Sequence, residues 1–144
     1  VTAALGVGMF TACAGPVAVP APQPSSAQVT EACEQLNSAL PSSVLTAVRR
    51  TTDPQTPTTA AWGDPPITLR CGVEKPPELE PTSTLLTVDG VDWLPVTRSA
   101  GYVFTAVGRV TYVEVAVPNS YAPETEVLPG LSGAVSSSIA VAPK

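Results

Sequence analysis

The sequence predicts an α+β domain in which an antiparallel sheet of about five strands carries an N-terminal and a C-terminal helix on one face. Three observations predict it. Val29, Cys33, Leu36 and Leu40 recur at helical spacing. Asp89-Gly90 and Gly108-Arg109 each stand between apolar alternations, the pattern of hairpin turns. Val127, Leu131, Ala134/Val135 and Ile139 then return to helical spacing.

In chain order, the first helix begins near Ala27. Glu31 and Glu34 lie in its early turns, where a carboxylate faces the positive end of the helix dipole, and Pro41 ends it. Val44, Leu45 and Val48 fit a second short helical turn. Thr51 to Pro66 reads as a loop dense in Thr and Pro, closing in Trp62-Gly63-Asp64-Pro65-Pro66. Ile67, Leu69, Cys71 and Val73 alternate with Thr68, Arg70 and Gly72, a strand with one buried face. Cys33 and Cys71 both fall on apolar faces, so the two thiols aim at one core and predict a helix-to-sheet disulfide.

A two-residue turn at Asp89-Gly90 pairs Val88 with Val91 and Leu86 with Trp93, leaving Thr87 and Asp92 outward. A similar turn at Gly108-Arg109 pairs Val107 with Val110, Phe104 with Val113 and Tyr102 with Val115. Val103, Thr105, Tyr112 and Glu114 fall on the opposite face. The closing helix lies within residues 124–141, kinked at or starting from Pro129.

Ahead of the domain, the uncharged run Val1 to Phe10 leads through the small residues Thr11 and Ala12 to Cys13. Residues 1–13 therefore read as a bacterial lipoprotein signal with Cys13 as the acylated residue. Phe10 takes a position where leucine is usual, no basic residue precedes the run, and Val1 fits either a GTG start or a truncated leader. Loss of Cys13 with a cleaved signal peptide, or its retention in an uncleaved anchor, are the alternatives. The run is shorter than the roughly 20 residues a spanning helix needs. Residues 14–26 are a Pro/Ala/Ser tether inclined to extended conformations, and residues 27–144 form a single globular domain. Acylating one of the three cysteines leaves Cys33 and Cys71 as a pair for an oxidising compartment.

Composition narrows the chemistry. Net charge is −5 and the seven Lys and Arg residues are scattered, which argues against a nucleic-acid partner. The chain has no histidine, which rules out Ser-His-Asp and Cys-His nucleophile systems and the commonest metal ligand. No cofactor or metal motif appears. The carboxylates Asp64, Asp89, Asp92 and Glu114 are accounted for by turns and solvated strand faces. Trp62, Arg70 and Arg109 form the candidate binding surface, since Trp stacks on rings and Arg holds oxyanions through paired hydrogen bonds. The plainer reading makes Trp62 a core residue, Arg70 a solvated strand residue and Arg109 part of a turn.

Three segments carry a family resemblance: Ala60 to Val73, Val88-Asp89-Gly90-Val91-Asp92-Trp93, and Gly108 to Pro118. They resemble the DUF3515 family over about residues 30–140. The resemblance implies an uncharacterised actinobacterial envelope or secreted protein, without catalytic or binding residues to carry over. Members often have a further cysteine shortly before Gly-Val-Asp-Trp. This chain has Thr84, Leu85 and Leu86 there, which leaves Cys33 and Cys71 as its only in-domain pair. The expectation is a non-enzymatic protein tethered to the outside of the membrane that binds an envelope protein or wall component. A small-ligand or lipid-binding module is the alternative.

Overall fold

The computed structural model describes residues 15–144. Strand β1 (Val17–Ala18) precedes helix α1 (Ala27–Ala39), followed by β2 (Ser43–Val44), β3 (Ala47–Arg50), β4 (Thr52–Asp53), β5 (Thr59–Trp62) and β6 (Ile67–Val73). Then come β7 (Leu86–Val88), β8 (Val91–Arg98), β9 (Gly101–Val107) and β10 (Tyr112–Pro118). Two 3₁₀ turns, Asn119–Tyr121 and Glu124–Val127, lead into α2 (Leu128–Ser138).

The α+β class holds, but the sheet has eight strands where about five were expected, in the order β2-β3-β5-β6-β10-β9-β8-β7. The additional strands come from segments whose sequence does not alternate. In β5 all four residues are buried, because the inner face meets the main core and the outer face meets Val17 and Val19, which pack on Ala61. Thr52 and Thr59 hydroxyls lie 2.9 Å apart in this buried region, so a Thr-rich segment forms β4 and β5 with its polar groups satisfied. Val44, Leu45 and Val48 do not make a helical turn. They form the β2–β3 hairpin, paired Val44 to Ala47, with Leu45 in the left-handed region at φ 52°.

Ser26 caps α1 by accepting from the Val29 N–H. Both helices lie against the inner face of the sheet, α1 through Val29, Cys33 and Leu36, and α2 through Leu128, Leu131, Ser132 and Val135. Cys33 and Cys71 are joined, linking α1 to β6 as the two apolar faces predict. Pro129 sits in the first turn of α2, where its missing N–H costs no helical bond.

The first predicted hairpin has the predicted register: Leu86 pairs with Trp93, Thr87 with Asp92 and Val88 with Val91. Asp89 and Gly90 both have positive φ, at 48° and 78°, as a two-residue turn of this hand requires. The second pairing is displaced by two residues. Ala106 faces Val113 and Phe104 faces Val115, so the turn spans residues 108–111. A two-residue slip preserves the faces, and Phe104, Val113 and Val115 stay buried. The loop widens because its backbone pairs with the C-terminal segment: the Val110 N–H donates to Ala140 O, and the Ala142 N–H donates to Gly108 O.

The predicted tether runs extended but is packed. Val17 and Val19 N–H groups donate to Thr51 and Asp53 carbonyls, making β1 a parallel partner of β4 on the outer side of the sheet. Burying Val17 and Val19 holds a proline-rich segment that composition alone reads as a spacer. This strap crosses to the inner side beside Gly72, the extra residue of a bulge in β6, with φ 90°. Pro24 Cα lies 3.8 Å from where a Cβ on Gly72 would stand. Cys13 lies outside the described residues.

Candidate functional site

Alternation along β6 turns Arg70 outward because Leu69 and Cys71 turn in, and β10 treats Glu114 likewise between Val113 and Val115. The two strands pair with Arg70 directly opposite Glu114. Arg70 Nη1 lies 3.3 Å from Glu114 Oε1, and its Nε donates to Pro20 O at 2.8 Å. The side chains are 29% and 28% exposed, so the pair adds at most about 1 kcal/mol of stability. Its larger consequence is positional, fixing the strap as a wall above the strand floor.

The opposite wall is the segment after β6, stiffened by Pro76 and Pro77. Arg98 Nη2 donates to Glu78 Oε1 at 2.7 Å, tying that segment to β8. This hydrogen bond is the main reason the Glu78 carboxyl sits below its ordinary range. Between the walls is a groove of about 530 Å³, floored in part by Val96, Val103 and Thr105. Arg70, Lys75 and Arg98 line it together with Glu74, Glu78 and Glu114. The lining is dense in charge but balanced in sign. It offers guanidinium donors and carboxylate acceptors within one concavity.

The structure does not unite the three residues of the predicted binding surface. Arg70 is at the groove as an outward strand residue. Trp62 is fully buried: its Nε1 donates to Pro41 O at 3.0 Å, and the Arg49 guanidinium lies 5.3 Å from its ring centroid. Burial also lowers the Arg49 pKa. The Trp-Gly-Asp-Pro-Pro segment suggested an exposed aromatic, but Trp62 is the last residue of β5 and precedes the turn. Arg109 is spent on the fold, donating from Nη1 to Ile139 O at 2.5 Å and from Nη2 to Gly90 O at 2.9 Å. It precedes the start of β10, whereas Trp62 pairs with Ile67, level with the far end of β10, so the two stand at opposite ends of the sheet.

Sequence reasoning missed Lys75, Glu78, Arg98 and the strap residues Ala21, Pro22 and Gln23 as parts of one surface. The outward parity of Arg70 and Glu114 was readable, but their pairing spans 44 positions and has no local signature. Among the described residues, no three His, Cys, Asp or Glu side chains group as a metal site, and no helix is long and apolar enough to cross a membrane.

The profile of the family described as "Protein of unknown function (DUF3515)" matches residues 1–143. The chain belongs to the DUF3515 family. No curated protein and no solved structure matches it. The α1–β6 disulfide of this DUF3515 domain is a bond of oxidising compartments and indicates an extracytoplasmic location.

Proposed function

We propose that this DUF3515 protein is a non-catalytic envelope protein, tethered to the membrane through acylated Cys13, that binds a partner protein or cell-wall component in the outer-face groove. The groove between the strap and the Lys75–Glu78 wall carries this reading. Its three positive and three negative side chains suit a ligand bearing both signs, such as an extended peptide segment. Its open, polar lining differs from the mostly apolar enclosure of typical small-molecule sites.

A photo-crosslinking residue at Val103, compared with one at exposed Ser136 on α2, tests the binding reading in intact cells. A discrete macromolecular adduct from position 103 alone is expected. Equal adducts from both positions, or none, would remove the groove as the binding site. A volume of about 530 Å³ also lies in the range of small-ligand sites, which favours the second reading, a small-ligand or lipid-binding module. An adduct of only a few hundred daltons at position 103 would select it. Tethering is tested separately by metabolic lipid labelling, with Cys13→Ala expected to lose the label and shed protein into the medium.

A further inference from the structure

The β2–β3 hairpin is unusual among the surfaces of this domain. Leu45 and Val48 are 48% and 66% exposed, two of the three large apolar side chains that stand in solvent among the described residues. Leu45 occupies the turn with φ 52°, a left-handed conformation that a leucine adopts at a cost and that glycine or asparagine adopts readily. β2 is also the edge of the sheet.

Arg49 and Arg50 are the last two residues of β3. Among the described residues neither is within salt-bridge distance of a carboxylate, unlike Arg70 and Arg98. Arg49 turns to the inner face, donating to Asn37 Oδ1 at 3.1 Å beside Trp62, and Arg50 donates to the carbonyls of Gly63 at 2.8 Å and Gly15 at 2.7 Å. Val48, Arg49 and Arg50 line a concavity of about 590 Å³ with Asp64, Ser120 and Tyr121. Asp64 is the one carboxylate in its lining. The Gly15 contact holds this first described residue against Arg50, and Cys13 is two positions earlier in the sequence.

We propose that the β2–β3 hairpin is the face this domain sets against an anionic lipid bilayer. Leu45 and Val48 enter the headgroup region, and Arg50, on the same face of β3 as Val48, lies level with the phosphates. This rests on the reading that the chain is tethered near Cys13. Anchoring there ties the membrane to a point two positions from Gly15, which touches Arg50, so the surface beside Gly15 meets lipid first. Apolar side chains beside guanidinium groups match the layering of a bilayer surface, with acyl chains beneath phosphate. The net charge of −5 repels such a surface at long range, so this contact orients a tethered domain and does not recruit a free one.

The test uses the full chain with its Cys33–Cys71 bridge intact, coupled through the Cys13 thiol to maleimide lipid in vesicles. One set contains phosphatidylcholine alone and the other also contains phosphatidylglycerol. Amide exchange of residues 43–50 is expected to slow roughly fivefold or more on the anionic vesicles. That slowing should diminish with added salt and be lost in Leu45→Asn with Val48→Thr. Equal exchange on both vesicle types, or slowing confined to another segment, overturns the proposal. The wild-type comparison of two lipid compositions keeps the result readable even if the variant fails to fold. Because the chemical link supplies the tether, absence of native acylation would refute the tether reading while leaving this measurement intact.

Discussion

The indole Nε1 of Trp93 donates to Ser132 Oγ at 3.0 Å inside the core, and the Ser132 hydroxyl donates in turn to Leu128 O at 2.8 Å. One buried hydroxyl therefore joins β8 to α2 while bonding back within its own helix. Trp93→Ala should cost about 3–5 kcal/mol through the cavity it leaves. Ser132→Ala, which strands the indole N–H, should cost about 1–3 kcal/mol. Denaturant unfolding of both variants checks this, and a Ser132→Ala midpoint equal to wild type would mean water replaces the hydroxyl.

Removing the Cys33–Cys71 bridge should lower stability by about 4 kcal/mol in the chain-entropy model, given a loop of 38 positions. The double variant Cys33→Ala/Cys71→Ala, compared with wild type by thermal unfolding, measures it. A melting temperature that does not move would mean that packing alone confines the loop in both states.

Gly101 opens β9 at φ 154°, and a Cβ there would overlap the Val117 carbonyl oxygen of the paired strand. Gly101→Ala should therefore destabilise by about 3 kcal/mol, through forced separation of β9 from β10. Alanine at Gly90, where a Cβ meets open space but φ is 78°, isolates the conformational part of such a cost. The Gly101 variant should be the worse of the two in chemical denaturation.

Acid should loosen the groove wall. The Arg98 hydrogen bond holds the Glu78 carboxyl below its ordinary value, so the folded state gives up this proton more readily than the unfolded chain. The contribution is fully present above the unfolded carboxyl pKa, about 4.3, and is lost as pH falls through the lower folded value. Amide protection of residues 74–80 should decline in that acidic window, and Glu78→Gln should abolish the dependence. Protection that stays constant through the window would show that Pro76 and Pro77 alone hold the wall.

What could be read from sequence follows the range of the interactions involved. The Leu86–Trp93 hairpin is legible because a two-residue turn and strict alternation determine register locally. The Cys33–Cys71 bridge is legible because each thiol sits on an apolar face. β5 is not, since a strand covered on both faces shows no alternation and half of its cover comes from Val17 and Val19, more than 40 positions earlier. The displaced β9–β10 turn depends on Ala140 and Ala142, about 30 positions later in the chain. At the groove, the outward parity of Arg70 was plain, while Trp62 was misjudged because its Gly and Pro neighbours follow the strand that buries it.

The strap also determines how the domain bears a mechanical load. A pull on its N-terminal end loads the Arg50 bond to Gly15 O and then the two β1 bonds to Thr51 and Asp53 before it reaches the Arg70 contact with Pro20. If those yield, the chain peels only as far as Cys33, where the covalent link to Cys71 takes the force. The segment from Gly15 to Cys33 can then extend to at most about 65 Å at 3.6 Å per residue. The domain thus has a leash whose maximum length is set by the position of the bridge.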